Sequence, residues 1–434
     1  MLRLANNLKD ICIKLKNTGF LSIFSSSVIN KIVNFAYGII LVRVISKADY
    51  GVYSYANNIY GYFALVLGLG TGGTILQVCS EDSDYDERYR HFRFCFSYGT
   101  YINIILSIVI VVISMTVSLP INGSDKLLRL MGFFPLFTQF ALYYSPWLRS
   151  NFKSKEYSYL NILNTVAISA LSVVGAFFYK ADGLVVGRYL AAVITIMYAL
   201  IVLKCPFPKL ICIFDMAKFK DAKKIIKMGP VICLTESLIQ VISLMGVSVL
   251  GHYVRDEIAI ASFKTATTIP SALAFIPSSI MVYAFPYFAR RRKDKKWTQK
   301  NFWVLIVGMF FMTSVIVLAC ELFAGEILVF VFGNQYADSA QAFRVLMIGF
   351  LVNSVLRIPA VNLVLSQWKL KFSALMAVIG FFVTWGINVV LVKPFGMIGS
   401  AYAQVLSVFI VGFVYTGYYL NVIYKKSDGN DSGE

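Results

Sequence analysis

Charged residues are scarce in this sequence. They make up 14% of its 434 residues, whereas hydrophobic residues make up 58%. The mean hydropathy is +0.71. This balance excludes a soluble domain, whose surface needs more charge to stay in water. The apolar runs reach the ~20 residues with which an α-helix crosses a bilayer. The composition therefore predicts a polytopic helical membrane protein.

Residues that bind metals or nucleotides are equally rare. The chain has two histidines and seven cysteines, and no two cysteines form a CxxC pair. A zinc or haem site needs such clusters, so the sequence predicts no metal and no other cofactor. No G-x-x-x-x-G-K-[ST] motif occurs either, which argues against ATP hydrolysis. An H⁺ or Na⁺ gradient is then the remaining common energy source for any transport.

Acidic residues are also few, at 22 against 40 basic residues, and the net charge is +18. Such a charge suits nucleic acid, but its distribution along the chain indicates membrane topology instead. With the N-terminus in the cytoplasm, 28 basic residues fall in cytoplasmic segments and 6 in external loops. This asymmetry follows the positive-inside rule. We therefore expect both termini in the cytoplasm and no nucleic-acid partner.

Twelve hydrophobic segments are long enough to be transmembrane helices. They are predicted at residues 19–44, 51–78, 94–118, 130–147, 157–179, 183–203, 229–251, 257–285, 301–325, 341–365, 372–392 and 396–423. The pattern predicts an all-α fold of two six-helix lobes, residues 19–203 and 229–423, around a central cavity. The glycine-rich residues 68–73 (GLGTGG) allow the second span to bend.

Polar segments lie before, between and after the two lobes. Residues 1–18 carry leucines at helical spacing among lysines, which predicts an amphipathic helix on the cytoplasmic face. The linker at residues 204–228 has the same character in its second half. Residues 424–434 are predicted to be a cytoplasmic tail.

Short strings repeat between the two halves. Residues 180–189 (KADGLVVGRY) match residues 393–402 (KPFGMIGSAY) at an offset of 213. Residues 49–55 (DYGVYSY) match residues 257–263 (EIAIASF) at an offset of 208. Six spans in each half is an even number, so both halves enter the membrane from the same side. This predicts parallel repeats, a known arrangement in transporters.

Lysine and arginine side chains lie inside several predicted spans, where a charge costs at least ~2.5–3.5 kcal/mol on insertion scales. Lys31 lies roughly 18 Å inside span 1, too deep to reach the interface easily, and Asn30 and Asn34 lie beside it. Lys264 lies inside span 8, and Arg357 lies inside span 10. Several cations at this depth indicate an anionic ligand.

Other interpretations of the cations stay open. Lys31 could be the partner of a buried carboxylate, and Arg357 could be an interfacial anchor. Arg43 and Arg188 lie near the external ends of their spans, where a long side chain reaches the bilayer surface. We still include Arg43 among the predicted ligand-binding residues, because the arginine fork makes paired hydrogen bonds to phosphate groups.

Glu236 is the one carboxylate well inside a predicted span, and it lies beside Thr235 and Ser237. One interpretation is a site that couples transport to H⁺ or Na⁺. The other is a static partner of an interior lysine. Asn388 in span 11 and Gln404 in span 12 could complete an ion-coupling site.

Three motifs resemble those of a known family. Residues 43–51 (RVISKADYG) resemble the turn after the first span of bacterial polysaccharide repeat-unit (Wzx-type) flippases. These belong to the multidrug/oligosaccharidyl-lipid/polysaccharide (MOP) exporter superfamily. Residues 227–230 (KMGP) resemble the start of its seventh span, and residues 387–401 (INVVLVKPFGMIGSA) resemble its motif across spans 11 and 12. The family often has an Asp–Arg pair where this chain has Gly246 and Val247, so any role of that pair is absent or relocated.

The resemblance, which covers essentially the whole chain, implies a flippase and not an enzyme. Its implied substrate is an undecaprenyl-pyrophosphate-linked oligosaccharide, moved by alternating access from the cytoplasmic to the periplasmic leaflet of the bacterial inner membrane. The product would serve surface polysaccharide synthesis (O-antigen, and hence lipopolysaccharide, or capsule). Implied partners are the bilayer and the polymerase and chain-length regulator of the same pathway. The alternative is an exporter of drugs or of another lipid-linked precursor from the same superfamily.

The charge asymmetry makes a testable prediction of topology. Reporters fused after Lys47 and Glu257 should read as external, and those fused after Arg149 and Lys295 as cytoplasmic, because the basic loops stay inside. A reporter active only outside the cytoplasm, paired with one active only inside it, measures this. A consistent inversion would contradict the predicted orientation.

Overall fold

The chain is helical wherever its structure is described. A computed structural model describes residues 20–81, 84–211, 222–292, 294–367 and 369–424. These residues form α-helices joined by short 3₁₀ and π-helical turns, and they contain no β-strand. The predicted all-α class is confirmed. The predicted amphipathic helix at residues 1–18, residues 425–434 and the central part of the linker lie outside the described residues.

Eight helical segments of the described chain are long and apolar enough to cross a membrane. They are Ser22–Val44, Lys47–Ser80, Tyr85–Thr116, Ser154–Val202, Glu257–Arg290, Lys295–Leu322, Asn334–Ser366 and Lys371–Tyr424. Helices suit this setting because they satisfy their own backbone hydrogen bonds, which lipid cannot do. The chain is a multi-pass membrane protein, as its composition predicts.

The chain divides into two compact units, Met1–Gln240 and Val241–Glu434. The first unit contains α1 (Phe20–Val44), α2 (Lys47–Ala64), α3 (Thr71–Glu81), α4 (Tyr85–Thr116), α5 (Ser124–Leu130), α6 (Phe134–Ser150), α7 (Ser154–Met197) and the first part of α8 (Ala222–Tyr253). Within it, α7 packs along α1 and α6. Aromatic side chains fill its core, and the ring of Phe92 lies 4.7 Å from that of Trp147.

The second unit begins within α8 and has its own apolar core. It continues with α9 (Glu257–Leu273), α10 (Phe275–Arg290), α11 (Lys295–Leu322), α12 (Ala324–Phe332), α13 (Ala340–Val352), α14 (Ile358–Ser366) and α15 (Leu370–Tyr424). A π-helical turn, Asn353–Arg357, joins α13 to α14. The core includes Phe302 and Tyr419, whose rings lie 5.2 Å apart.

The second predicted span is broken at its glycine-rich centre. α2 ends at Ala64 and α3 begins at Thr71; between them Gly68, Leu69 and Gly70 have φ angles of 55°, 49° and 77°. Glycine adopts such angles without the Cβ clash that costs other residues roughly 1–2 kcal/mol. The predicted bend is confirmed.

A buried amide network satisfies polar groups at this break. Asn103 Oδ1 accepts a hydrogen bond from Gly68 N (2.8 Å), and Asn103 Nδ2 donates to Pro135 O (3.1 Å) and Gln139 Oε1 (3.0 Å). Gln139 Nε2 donates in turn to Thr100 Oγ1 (3.1 Å). Buried polar groups need such partners when the surroundings are apolar. The network therefore joins the break to α4 and α6.

The first part of α8 also packs against the break. Leu65 O accepts hydrogen bonds from Cys233 Sγ (3.2 Å) and Ser237 Oγ (3.1 Å). A Cβ on Gly70 would lie 2.1 Å from Gly229 O, so only glycine permits this approach. These contacts explain why the division between the units falls inside α8 and not in the predicted linker. The predicted lobe boundaries stay a prediction.

Two interrupted helices correspond at a different offset from the one that the matched strings predict. α7 is interrupted at Lys180 (φ 51°, ψ −134°) and α15 at Gly396 (φ 54°, ψ −128°). These two residues are 216 positions apart, not 213. Gly183 and Gly399, also 216 apart, each lie against a carbonyl eight residues earlier, which a Cβ would approach to 2.0 and 2.1 Å. Alignment of the glycines by sequence is therefore wrong by three residues.

The amide network makes a prediction about stability. Asn103→Leu leaves the Gly68 N–H and the side-chain oxygen of Gln139 without the partner that Asn103 provides, and each unpaired buried group costs about 1–3 kcal/mol. We expect a clearly lower melting temperature for the purified protein in detergent. Asn362→Leu is the matched control, since the one side-chain hydrogen bond of Asn362 among the described residues goes to Ile358 O of its own helix. Equal melting temperatures for the two variants would contradict the role of the network.

Candidate functional site

The predicted ligand-binding residues of the first unit all lie on α1. The side chains of Lys31 and Asn34 are exposed on the protein surface, and Asn30 is half-buried. The side-chain oxygen of Asn30 is buried and accepts no hydrogen bond within the described residues. Arg43 is exposed in the last turn of α1, about 18 Å along the helix from Lys31. Lys31, Asn30 and Asn34 therefore lie close together on α1, and Arg43 lies well apart from them.

Lys264 is half-buried on α9. Its backbone carbonyl accepts hydrogen bonds from Thr267 Oγ1 (2.8 Å) and Thr268 Oγ1 (2.9 Å). Its ammonium group forms no hydrogen bond or ion pair within the described residues. Thr265 Oγ1 is buried and likewise lacks a partner there. The predicted polar face of this helix is present, and its cation is not neutralised by a described carboxylate.

Arg357 ends the π-helical turn between α13 and α14 and is half-buried. A Cβ on Gly412 would lie 3.1 Å from Arg357 N, so α15 approaches this turn closely. No described carboxylate forms an ion pair with its guanidinium group.

The predicted ion-coupling residues are not brought together by any described contact. Asn388 is 2% exposed and donates from Nδ2 to Thr384 O (2.8 Å). Its Oδ1 is buried without a partner among the described residues, and a Cβ on Gly246 would lie 4.0 Å away from it. Gln404 is exposed on α15. Glu236 lies in α8, but its side chain falls outside the described residues.

One feature that sequence reasoning missed is a groove in the first unit. It has a volume of about 530 Å³ and lies between α3, α6 and α7, and we call it the α6–α7 groove. Two arginines, Arg149 and Arg188, and two asparagines, Asn161 and Asn164, line it together with apolar side chains such as Phe137. None of the described carboxylates lines it.

Arg188 is held at the groove by neutral partners. Its Nη1 donates to Asn57 Oδ1 (2.7 Å) and to Tyr53 OH (3.2 Å), and its guanidinium carbon lies 4.4 Å from the centre of the Phe134 ring. A guanidinium group has five N–H donors, so three remain without a described acceptor. Cation–π attraction and neutral hydrogen bonds stabilise this position without cancelling the charge.

The groove also contains a second cation and two fixed amides. The guanidinium carbon of Arg149 lies 5.6 Å from the centre of the Tyr157 ring. Asn161 Nδ2 donates to Tyr157 O (2.7 Å), and Asn164 Oδ1 accepts from Thr195 Oγ1 (3.2 Å). The Asn164 amide nitrogen has no acceptor within the described chain. The groups left for a ligand here are mostly donors, which suits an anion.

A single sequence signal could have identified this groove. Arg188 looked like a residue that extends to the bilayer surface, because it lies near the end of a predicted span. In the corrected register of 216, Arg188 corresponds to Gln404, which was itself a predicted site residue. The other lining residues come from separate helices and share no local pattern.

Comparisons with known proteins agree with this architecture. The family described as "Polysaccharide biosynthesis protein" matches residues 15–292. No curated protein matches the chain significantly in sequence. Several solved structures match over almost its whole length.

One solved match is an inward-facing multidrug resistance MATE family transporter of the MOP superfamily, with a TM-score of 0.71, 15% identity, and coverage of 91% of this chain and 94% of that one. Another is the lipid II flippase MurJ in an inward closed conformation, with a TM-score of 0.74, 13% identity, and coverage of 92% and 89%. A third is a MOP superfamily transporter from Pyrococcus furiosus, with a TM-score of 0.55, 15% identity, and coverage of 93% and 94%.

At these identities the solved structures establish the fold alone, whereas the family match spans well over half of the sequence. The chain therefore belongs to the polysaccharide biosynthesis protein family and has the fold of MOP-superfamily transporters.

Proposed function

We propose that this chain is a flippase that moves undecaprenyl-pyrophosphate-linked oligosaccharide units across the bacterial inner membrane for surface polysaccharide synthesis. One observation carries the proposal. Arg188, Lys264 and Arg357 lie in membrane-spanning helices, and no described carboxylate pairs with them. Cations kept at this depth without a counter-charge are costly unless a ligand supplies one. A diphosphate is a suitable ligand.

The family match and the MurJ likeness support this proposal. MurJ is a flippase of lipid II, and the family is one of polysaccharide biosynthesis. A multidrug exporter is the second candidate, because a MATE transporter shares the fold. An exporter of cationic drugs is expected to carry acidic residues inside its spans, whereas the described charges there are mostly basic.

We further propose twelve spans in two six-helix lobes. Eight segments meet the length and hydropathy criteria, and two of them, Ser154–Val202 and Lys371–Tyr424, contain the breaks at Lys180 and Gly396. Each broken segment supplies two spans on this proposal, and α6 and α8 supply the remaining two. The cytoplasmic placement of both termini is supported by the charge asymmetry.

Deletion of the gene in its native host tests the function. We expect lipid-linked oligosaccharide to accumulate while surface polysaccharide is lost, because assembled units cannot reach the outer leaflet. Extraction and mass spectrometry of the lipid-linked pool measure the first effect, and surface staining measures the second. A normal pool together with increased drug sensitivity would favour the multidrug exporter.

The deep lysines give a second test. Lys31→Ala and Lys264→Ala should each abolish export at near-normal protein levels, because each removes a charge that attracts the diphosphate. Lys→Arg at either position should be partly tolerated, since it keeps the charge. Surface-polysaccharide assays with immunoblots of membrane fractions measure both quantities. Full export in both alanine variants would contradict the proposal.

Glu236 gives a test of ion coupling. Glu236→Gln mimics a permanently protonated carboxyl group, so it should bind lipid-linked sugar but fail to turn over. Export is measured across a range of external pH, with Gln240→Glu as a control that keeps Glu236. Wild-type export by Glu236→Gln at every pH would exclude Glu236 as the coupling site and leave membrane potential or substrate supply as the driving force.

A further inference from the structure

We propose that the α6–α7 groove binds the phosphate-bearing sugar headgroup of the transported lipid within the first unit alone. This inference rests on the proposed function and adds a binding site to it. None of the ligand-binding residues predicted from the sequence lines the groove. Its volume of about 530 Å³ lies in the ~300–1,000 Å³ range of small-molecule sites.

The groove is long and has a cation at each end. It is lined from Phe134 at the start of α6 to Arg149 in its last turn, and these two residues lie about 22 Å apart along the helix. Arg188 lies over the Phe134 ring, at the first end. Arg149 lies at the second end. A ligand that carries its charge at one end can therefore be held at either one.

The groups between the two arginines suit sugar rings. Asn161 and Asn164 provide amides, and Thr138 and Ser145 provide hydroxyl groups. Phe137 offers an aromatic surface on the same wall. Amides and hydroxyls bond to sugar hydroxyls, while ring faces pack against the apolar C–H face of a sugar. The groove thus combines charge recognition at its ends with sugar recognition between them.

The polar groups that line the groove indicate that its ligand carries a negative charge. Three donors of Arg188 and the amide nitrogen of Asn164 lack acceptors within the described chain. Arg149 donates no hydrogen bond there either, and it keeps only its ring contact. Arginine binds phosphate oxygens through two parallel hydrogen bonds. An anionic phospholipid needs only one such cation and none of the amides, so the lining favours the glycolipid.

Two variants test the groove without disturbing the core around Arg188. Asn164→Asp keeps the oxygen that accepts from Thr195 but adds a negative charge, and Arg149→Gln removes an exposed cation. The full-length protein is purified in detergent, and lipid binding is titrated by native mass spectrometry. The probes are undecaprenyl pyrophosphate carrying one N-acetylglucosamine and, separately, palmitoyl-oleoyl phosphatidylglycerol. Loss of one charge-assisted contact corresponds to about tenfold weaker binding.

Arg291→Gln is the matched control. Arg149 lies in the last turn of α6, and Arg291 directly follows the last turn of α10. The guanidinium carbon of Arg291 lies 4.9 Å from the centre of the Trp297 ring, yet Arg291 lines no part of the groove. We expect both groove variants to bind the glycolipid about tenfold more weakly, with phosphatidylglycerol binding and the Arg291 variant unchanged.

Three other outcomes separate the possibilities. Wild-type affinity for the glycolipid in both groove variants overturns the groove site and leaves the flippase function standing. An equal loss for both probes means that the groove holds bulk anionic lipid, and this also overturns the site. Failure of the wild-type protein to bind the glycolipid at all contradicts the proposed function itself.

Discussion

Two buried amide side chains, Asn103 and Gln139, stabilise the break between α2 and α3, and the packing of the first unit depends on this break. A helix that breaks inside a bilayer leaves backbone groups that lipid cannot satisfy. Here the Gly68 N–H donates a hydrogen bond to Asn103, and the carbonyl of Leu65 accepts hydrogen bonds from two side chains of α8. One break therefore joins α4, α6 and α8, and it sets the position of α3, which lines the α6–α7 groove.

The second constraint is the scarcity of acidic side chains near the interior cations. Arg188 is surrounded by a phenol, an amide and an aromatic ring, each of which stabilises a cation without neutralising it. Lys264 and Arg357 also lack a carboxylate among the described residues. The described ion pair between Lys126 and Asp182 joins exposed side chains instead. The helices of both units therefore carry positive charges that are available to bind a negatively charged ligand.

The features that could be predicted from the sequence are those that the local composition of the chain determines. The apolar runs predicted membrane helices, and the glycines at residues 68–73 predicted the break in the second span. Sequence reasoning misaligned the repeat because Lys180, a residue that does not favour positive φ, occupies the break that Gly396 occupies in the second half. It also left Arg188 at the bilayer surface, because only tertiary packing decides whether a long side chain extends outward or folds onto a ring.

The interruption at Lys180 has a consequence for the substitutions that the two interrupted helices tolerate. A residue with a side chain at this φ angle raises the free energy of the folded state by about 1–3 kcal/mol, and glycine avoids this cost. The turn is therefore strained at Lys180 and unstrained at Gly396. Such a turn persists only where its surroundings hold it. The break at Lys180 therefore depends on contacts from neighbouring helices, whereas the break at Gly396 is compatible with its own backbone. The two positions need not tolerate the same substitutions.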